Sequence, residues 1–197
     1  MPKQHRAQLT RRAILTAAAT EFDRVGYEAA ALNAILRRSG TTKGAFYFHF
    51  SSKEAVAEAL VAVYAAGLAE LRREWLERDR DPLSTAVGLT VEVARRLEQD
   101  VVLRAGLLLA CRRVGAVADG WDGLIDRLLH ESAEADQLRP GADPAAVARV
   151  AYAALVGTHT VGSDFAALPE RVAETWQVLL AGVAREGALR PERTGRS

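Results

Sequence analysis

The chain has 197 residues, 49% apolar and 26% charged, with a net charge of +1 and one cysteine. That mixture belongs to chains that fold rather than stay disordered, and a single cysteine excludes an internal disulfide or a cysteine-built zinc site. The longest uncharged run, 150–163, is too short for the ~20 residues that cross a bilayer.

The opening MPKQHRAQLTRR is basic and polar, with no apolar stretch before a small-residue cleavage site, so a cytoplasmic protein is expected. The small net charge hides an asymmetry. Residues 1–54 hold nine Lys/Arg against four acids, a balance of +5, while the remaining 143 hold 17 against 21, a balance of −4. The first quarter is suited to meet a polyanion; a solvated basic face without a partner is the plainer alternative.

Ile14, Ala18 and Phe22, with Leu15, Ala19 and Val25 beside them, recur at helical spacing, which predicts an amphipathic helix from Thr10 to Val25 ending at Gly26. Leu32, Ile35 and Leu36 predict a short second helix to Arg38, broken by Ser39-Gly40. Thr42 can cap a third helix, Lys43 to His49. Within Ser51-Ser52-Lys53-Glu54 lies an S-x-x-E capping box, followed by an uninterrupted helix-favouring run to about Arg78.

After the charged break ERDRDP, Asp81-Pro82 reads as a cap and a first-turn proline, a device that returns at Asp143-Pro144 behind a Pro140-Gly141 turn. Helices are predicted near 83–98, 101–114, 120–137, 144–162 and 169–186, and the tail RPERTGRS, 190–197, as mobile. No strand alternation or internal repeat is visible, so the fold class is all-α, with about nine helices. Cys111, within LLLACRRV, is expected to be a small buried residue.

Two short helices joined by a tight glycine-containing turn in basic surroundings form a helix-turn-helix arrangement, whose second helix enters the major groove of DNA. GTTKGAFYFHFSSKEAV, preceded by ILTAAATEFDRVGYEAAALNAILRRSG, resembles the DNA-binding domain of the TetR family of bacterial repressors over roughly residues 8–60. The shared pattern is F-x-x-x-G-Y, I-x-x-x-x-G, T-K-G-x-x-Y-x-H-F and K-E. Gly44 would let the helix approach the sugar-phosphate wall. Thr42, Lys43, Tyr47, His49 and Lys53 are the expected DNA contacts. Phe46 and Phe50 are expected in the core, and Phe48 fits either side. Two positions depart from the pattern. Ala30 and Ala31 stand where the family has a capping hydroxyl, and Thr41 replaces a valine, bringing a hydroxyl that needs a partner.

The resemblance implies a DNA-binding domain at 1–54, a ligand-binding and dimerisation domain at 55–189, and a dimer on a palindromic operator. VVLRAGLLLA, Trp121 at the start of a later helix, LVGTHTVG and YFHF resemble more particularly the γ-butyrolactone receptors of Streptomyces-type actinomycetes, which control antibiotic production. On that resemblance Tyr64, Trp121 and Thr158 are the expected ligand residues, and the effector a γ-butyrolactone, butenolide or furan. Arg104, flanked by apolar residues, needs a buried partner; Trp75 and Trp176 are expected in a core or an interface.

The alternative is a TetR-type regulator sensing an antibiotic or other small apolar compound. An enzyme is disfavoured by the absence of Walker, G-x-G-x-x-G, H-E-x-x-H and nucleophile-elbow motifs. His130 and Glu134, one turn apart, read as a solvated face rather than a metal site, and no cofactor or metal is expected. A non-specific architectural DNA binder would need a wider basic surface.

Overall fold

The computed structural model describes residues 2–111, 121–161 and 165–188, with side chains at 4–111, 123–157 and 165–188. Among the described residues there are nine helices and a single isolated β-bridge, Leu138 to Ala184. They are α1 (Pro2–Ala29), α2 (Leu32–Ser39), α3 (Lys43–His49), α4 (Lys53–Leu76), α5 (Pro82–Gln99), α6 (Val101–Cys111), α7 (Trp121–Glu134), α8 (Pro144–Val161) and α9 (Leu168–Val183). The all-α expectation holds. No described helix is long and apolar enough to cross a membrane.

The first helix begins eight residues before the predicted Thr10. Residues 2–9 carry no apolar stripe to reveal it, but Lys, Gln, Arg, Ala and Leu are helix formers by themselves. At the other end Gly26 takes φ 78° and ψ 159°, a conformation only glycine adopts without strain, and kinks the chain where the helix was expected to stop.

Local chemistry sets most of the other ends. Asp81 accepts from Ser84 N–H at 2.8 Å and Asp143 from Ala145 and Ala146 at 3.0 and 3.2 Å, so both Asp-Pro devices cap their helices as predicted. Asp100 caps α6 through Val102 N–H at 2.7 Å. On α4 the cap is Ser52, whose Oγ accepts from Ala55 N–H at 3.2 Å. The capping-box pattern would have started from Ser51. The Glu54 carboxyl lies below the usual range because it accepts from its own amide, then from the Ser52 and Tyr27 hydroxyls.

The chain divides into two compact units, residues 1–69 with 99–116, and residues 70–98 with 117–197. In the first, the apolar stripe of α1 (Ile14, Leu15, Ala18, Phe22) packs with Ile35, Phe46, Phe50, Val56 and Leu60 and with Ala105 and Leu109 of α6. The α6 backbone comes so close to α4 that a Cβ on Gly106 would lie 2.5 Å from Tyr64 Cβ and 2.6 Å from the Leu60 carbonyl oxygen. In the second unit α8 packs against α7 and α9. Trp75 and Trp176 are buried there, as expected, with Leu89, Val93, Leu129 and Leu155. Cys111 is exposed, contrary to the sequence reading. It closes α6 beyond the buried face of Ala105, Gly106, Leu109 and Ala110, so the apolar run around it did not decide its own side.

Candidate DNA interface

The candidate interface is built on α2, the turn and α3. The turn rests on Gly40, which adopts φ 63° and ψ 24° and returns its N–H to Arg37 and Leu36 carbonyls. Ser39 Oγ donates to Leu36 O at 3.1 Å and shares a 2.6 Å hydrogen bond with Thr41 Oγ1. Because the serine proton goes to Leu36, the threonine hydroxyl is the donor in that pair, which supplies the partner its sequence position called for. At the start of α2, Ala31 offers no side-chain cap, as its identity requires.

Thr42 caps α3, its Oγ1 accepting from Ala45 N–H at 3.1 Å. The residues from Thr42 to Phe50 separate by burial. Phe46 is fully buried and Phe50 nearly so, while Thr42, Lys43, Gly44, Tyr47 and Phe48 are exposed and His49 is half-buried. Phe46 stacks edge-on with Tyr47 at 5.4 Å and meets Phe50 at 6.1 Å, and the Arg11 guanidinium lies 4.9 Å from the Phe50 ring centre. Five of the six expected DNA-contact residues therefore stand together at or near the surface of one short helix and its cap.

Lys53 has other partners. Its ammonium donates to the carbonyls of Tyr27, Glu28 and Ala30 at 2.9, 3.3 and 3.1 Å and lies 4.5 Å from the Tyr27 ring centre. Tyr27 and Glu28 lie in the last turn of α1 and Ala30 just beyond it, where the end of a helix leaves carbonyls open, and three N–H donors reach them together. A phosphate contact by the same group would have to replace one of these bonds.

Glu21 and Asp23 of α1 each hold arginine, the first as a buried carboxylate and the second part-buried, and sequence reading drew neither pairing. Glu21, 3% exposed, accepts from Arg24 at 2.9 Å and from Arg38 of α2 at 2.8 Å. Hydrogen bonds from Arg24 and then Arg38 hold its carboxyl below the ordinary value despite burial. Asp23 receives both Nε and Nη2 of Arg104 of α6 at 3.1 Å, a bidentate pair that gives Arg104 its expected partner. A signal was present for Glu21: it lies seven residues after Ile14, on the apolar face of α1, where an acid needs a cation.

The expected ligand residues are only partly described. Tyr64 is buried in the first unit, on α4 against Gly106. Trp121 and Thr158 belong to α7 and α8 of the second unit, and their side chains lie outside the described residues, as does the 190–197 tail. His130 is exposed, its Nδ1 2.8 Å from the Asp126 carbonyl one turn back.

Residues 14–60 match the family of bacterial regulatory proteins called tetR. The A-factor receptor protein of Streptomyces griseus is 36% identical over 198 residues, an overlap covering 96% of this chain and 69% of that protein. Among solved structures, a γ-butyrolactone receptor described as ArpA-like superposes with a TM-score of 0.82 at 32% identity, covering 93% of this chain and 92% of the other. CprB of Streptomyces coelicolor, in complex with its biological operator sequence, gives 0.82 at 33% identity over 92% of each chain.

Proposed function

Because the chain belongs to the tetR family of bacterial regulatory proteins, we propose that it is a ligand-responsive transcriptional repressor of the butyrolactone-receptor type, acting as a dimer on a palindromic operator. A small diffusible signal with a γ-butyrolactone, butenolide or furan head releases it, and antibiotic-biosynthesis genes are its proposed targets. It works in the cytoplasm, where its DNA is, and performs no catalysis.

The observation that carries the reading is the exposed face of α3. Thr42, Lys43, Gly44 and Tyr47 are presented to solvent while Phe46 and Phe50 anchor the helix beneath them, in a chain 36% identical to the A-factor receptor. Lys43, at the helix start, meets a phosphate or the O6 and N7 of a guanine; Tyr47 and His49 donate to phosphates; Gly44 keeps the approach open. Lys53 enters in a supporting role, fixing the end of α1 from which the domain is hung.

Tyr64, Trp121 and Thr158 are the proposed effector residues, and release is proposed to run through α4, which Ser52 caps and Lys53 begins. A release of roughly 10²- to 10³-fold requires about 3–4 kcal/mol of preference for the unbound state. Operator selection with the purified protein, followed by release with a panel of butyrolactones, butenolides and furans, tests both halves. Failure to select any sequence removes the repressor reading. An operator complex indifferent to the whole panel removes the signal class and leaves a regulator of some other small apolar compound.

A further inference from the structure

Phe48 is 80% exposed on a helix whose other phenylalanine, Phe46, is fully buried. The perpendicular His49 ring, 5.1 Å away, restricts it without covering it. One turn earlier on the same face stands Gly44, also exposed, where an added Cβ would meet only Thr42 Oγ1, at 4.0 Å. Nothing inside the chain fills the space at 44, so the missing side chain leaves room there for a surface that approaches from outside. A bare position followed one turn later by a ring, with Lys43 and Tyr47 exposed alongside, makes a strip that can be pressed close to a surface.

On the premise that this chain binds an operator through α3, we propose that Phe48 is a specificity-determining residue, packing its ring against the C5-methyl group of a thymine in each half-site. A phenyl ring has no donor or acceptor to offer a phosphate oxygen. The apolar feature on the floor of the major groove is the thymine methyl, so the ring distinguishes thymine from the other bases there. Lys43 and Tyr47 supply polar contacts that fix the helix, and Phe48 supplies a reading that those contacts do not.

The test uses the full-length protein and the duplex obtained by operator selection, with each thymine replaced in turn by deoxyuridine, which lacks only the methyl group. Wild type should show one position per half-site where the replacement weakens binding about fourfold, the worth of one buried methyl. Phe48→Ala should lose that discrimination, giving the same affinity for thymine and deoxyuridine there, while Phe48→Leu keeps part of it. Thermal melting of each variant checks folding, which an exposed side chain should leave unchanged. If no deoxyuridine position weakens wild type, or if Phe48→Ala keeps every penalty, the methyl reading is overturned while operator binding stands. An equal loss of Phe48→Ala affinity on every duplex, with the wild-type deoxyuridine penalty retained, places the ring against the sugar-phosphate wall and also overturns it. Absence of any selected operator overturns the functional reading itself, and this inference with it.

Discussion

The Lys53 ammonium lies 2.9 Å from the Tyr27 carbonyl oxygen and 4.5 Å from the centre of the same residue's ring, so Tyr27 serves it as hydrogen-bond acceptor and as π face. With Glu28 and Ala30 completing the set, the three N–H donors converge on the end of α1. Lys53→Met should cost about 1–2 kcal/mol in urea unfolding, the value of charge-assisted bonds reduced for partial exposure. Lys53→Arg should not restore it, since a planar fork cannot meet three converging carbonyls. Operator affinity should fall in Lys53→Met with the salt slope unchanged. A slope reduced by about one would place the ammonium on a phosphate instead.

Crowding between α4 and α6 makes two glycines of the first unit behave differently. At Gly106 an added methyl would meet the Tyr64 Cβ at 2.5 Å and the backbone oxygen of Leu60 at 2.6 Å, and neither can step aside. Gly106→Ala should destabilise by about 1–3 kcal/mol, the range for overpacking. At Gly67 the neighbour is the free end of the Leu103 side chain at 3.1 Å, and alanine gains about 1 kcal/mol of helix propensity, so Gly67→Ala should be near neutral. Paired unfolding curves settle the contrast, and equal losses would show that backbone contact is not what matters.

Much of the fold was legible because its determinants are neighbours in sequence. Asp81 and Asp143 cap the residues that directly follow them, and the fall of Phe46 and Phe50 to the core follows from helical spacing alone. What escaped joins positions far apart or chooses between adjacent equals. Ser51 and Ser52 are chemically identical candidates, and only the three-dimensional path of the chain makes Ser52 the cap. Arg104 reaches Asp23 across 81 residues, a pairing that spacing does not encode. Lys53 matched a family pattern whose chemistry names a charge but not the carbonyls left open where α1 ends. Thr41 sits between: its hydroxyl demanded a partner, and Ser39, two residues away, was the nearest candidate.

Glu21 gives the first unit a pH dependence with a definite sign. Its folded carboxyl titrates below the ordinary 4.5, chiefly through the hydrogen bond from Arg24 and then that from Arg38, so the folded state holds fewer protons than the unfolded one in acid. The stabilisation is complete above about pH 4.5 and is lost as pH falls toward the depressed folded value. Thermal melts should show Glu21→Gln less stable than wild type at pH 7, with the gap narrowing below pH 4.5. A gap constant with pH would mean that the glutamate contributes packing rather than charge.

Lys43 and Tyr47 separate the two kinds of contact assigned to the α3 surface. Both side chains are exposed, Tyr47 at 49%, so replacing either should leave the melting temperature within about 1–2 °C of wild type. Lys43→Ala removes a full charge. If that charge sits on a phosphate, affinity falls for every operator variant alike and the salt slope drops by about one. If it reads guanine, the loss is about 1–3 kcal/mol and concentrates on one base pair. Tyr47→Phe removes only a hydroxyl, and its loss of about 0.5–1.5 kcal/mol should be the same for every sequence. Filter binding across a salt series, with the selected operator and single-base variants, distinguishes these outcomes. Unchanged affinity in both variants would move the DNA-binding surface off α3.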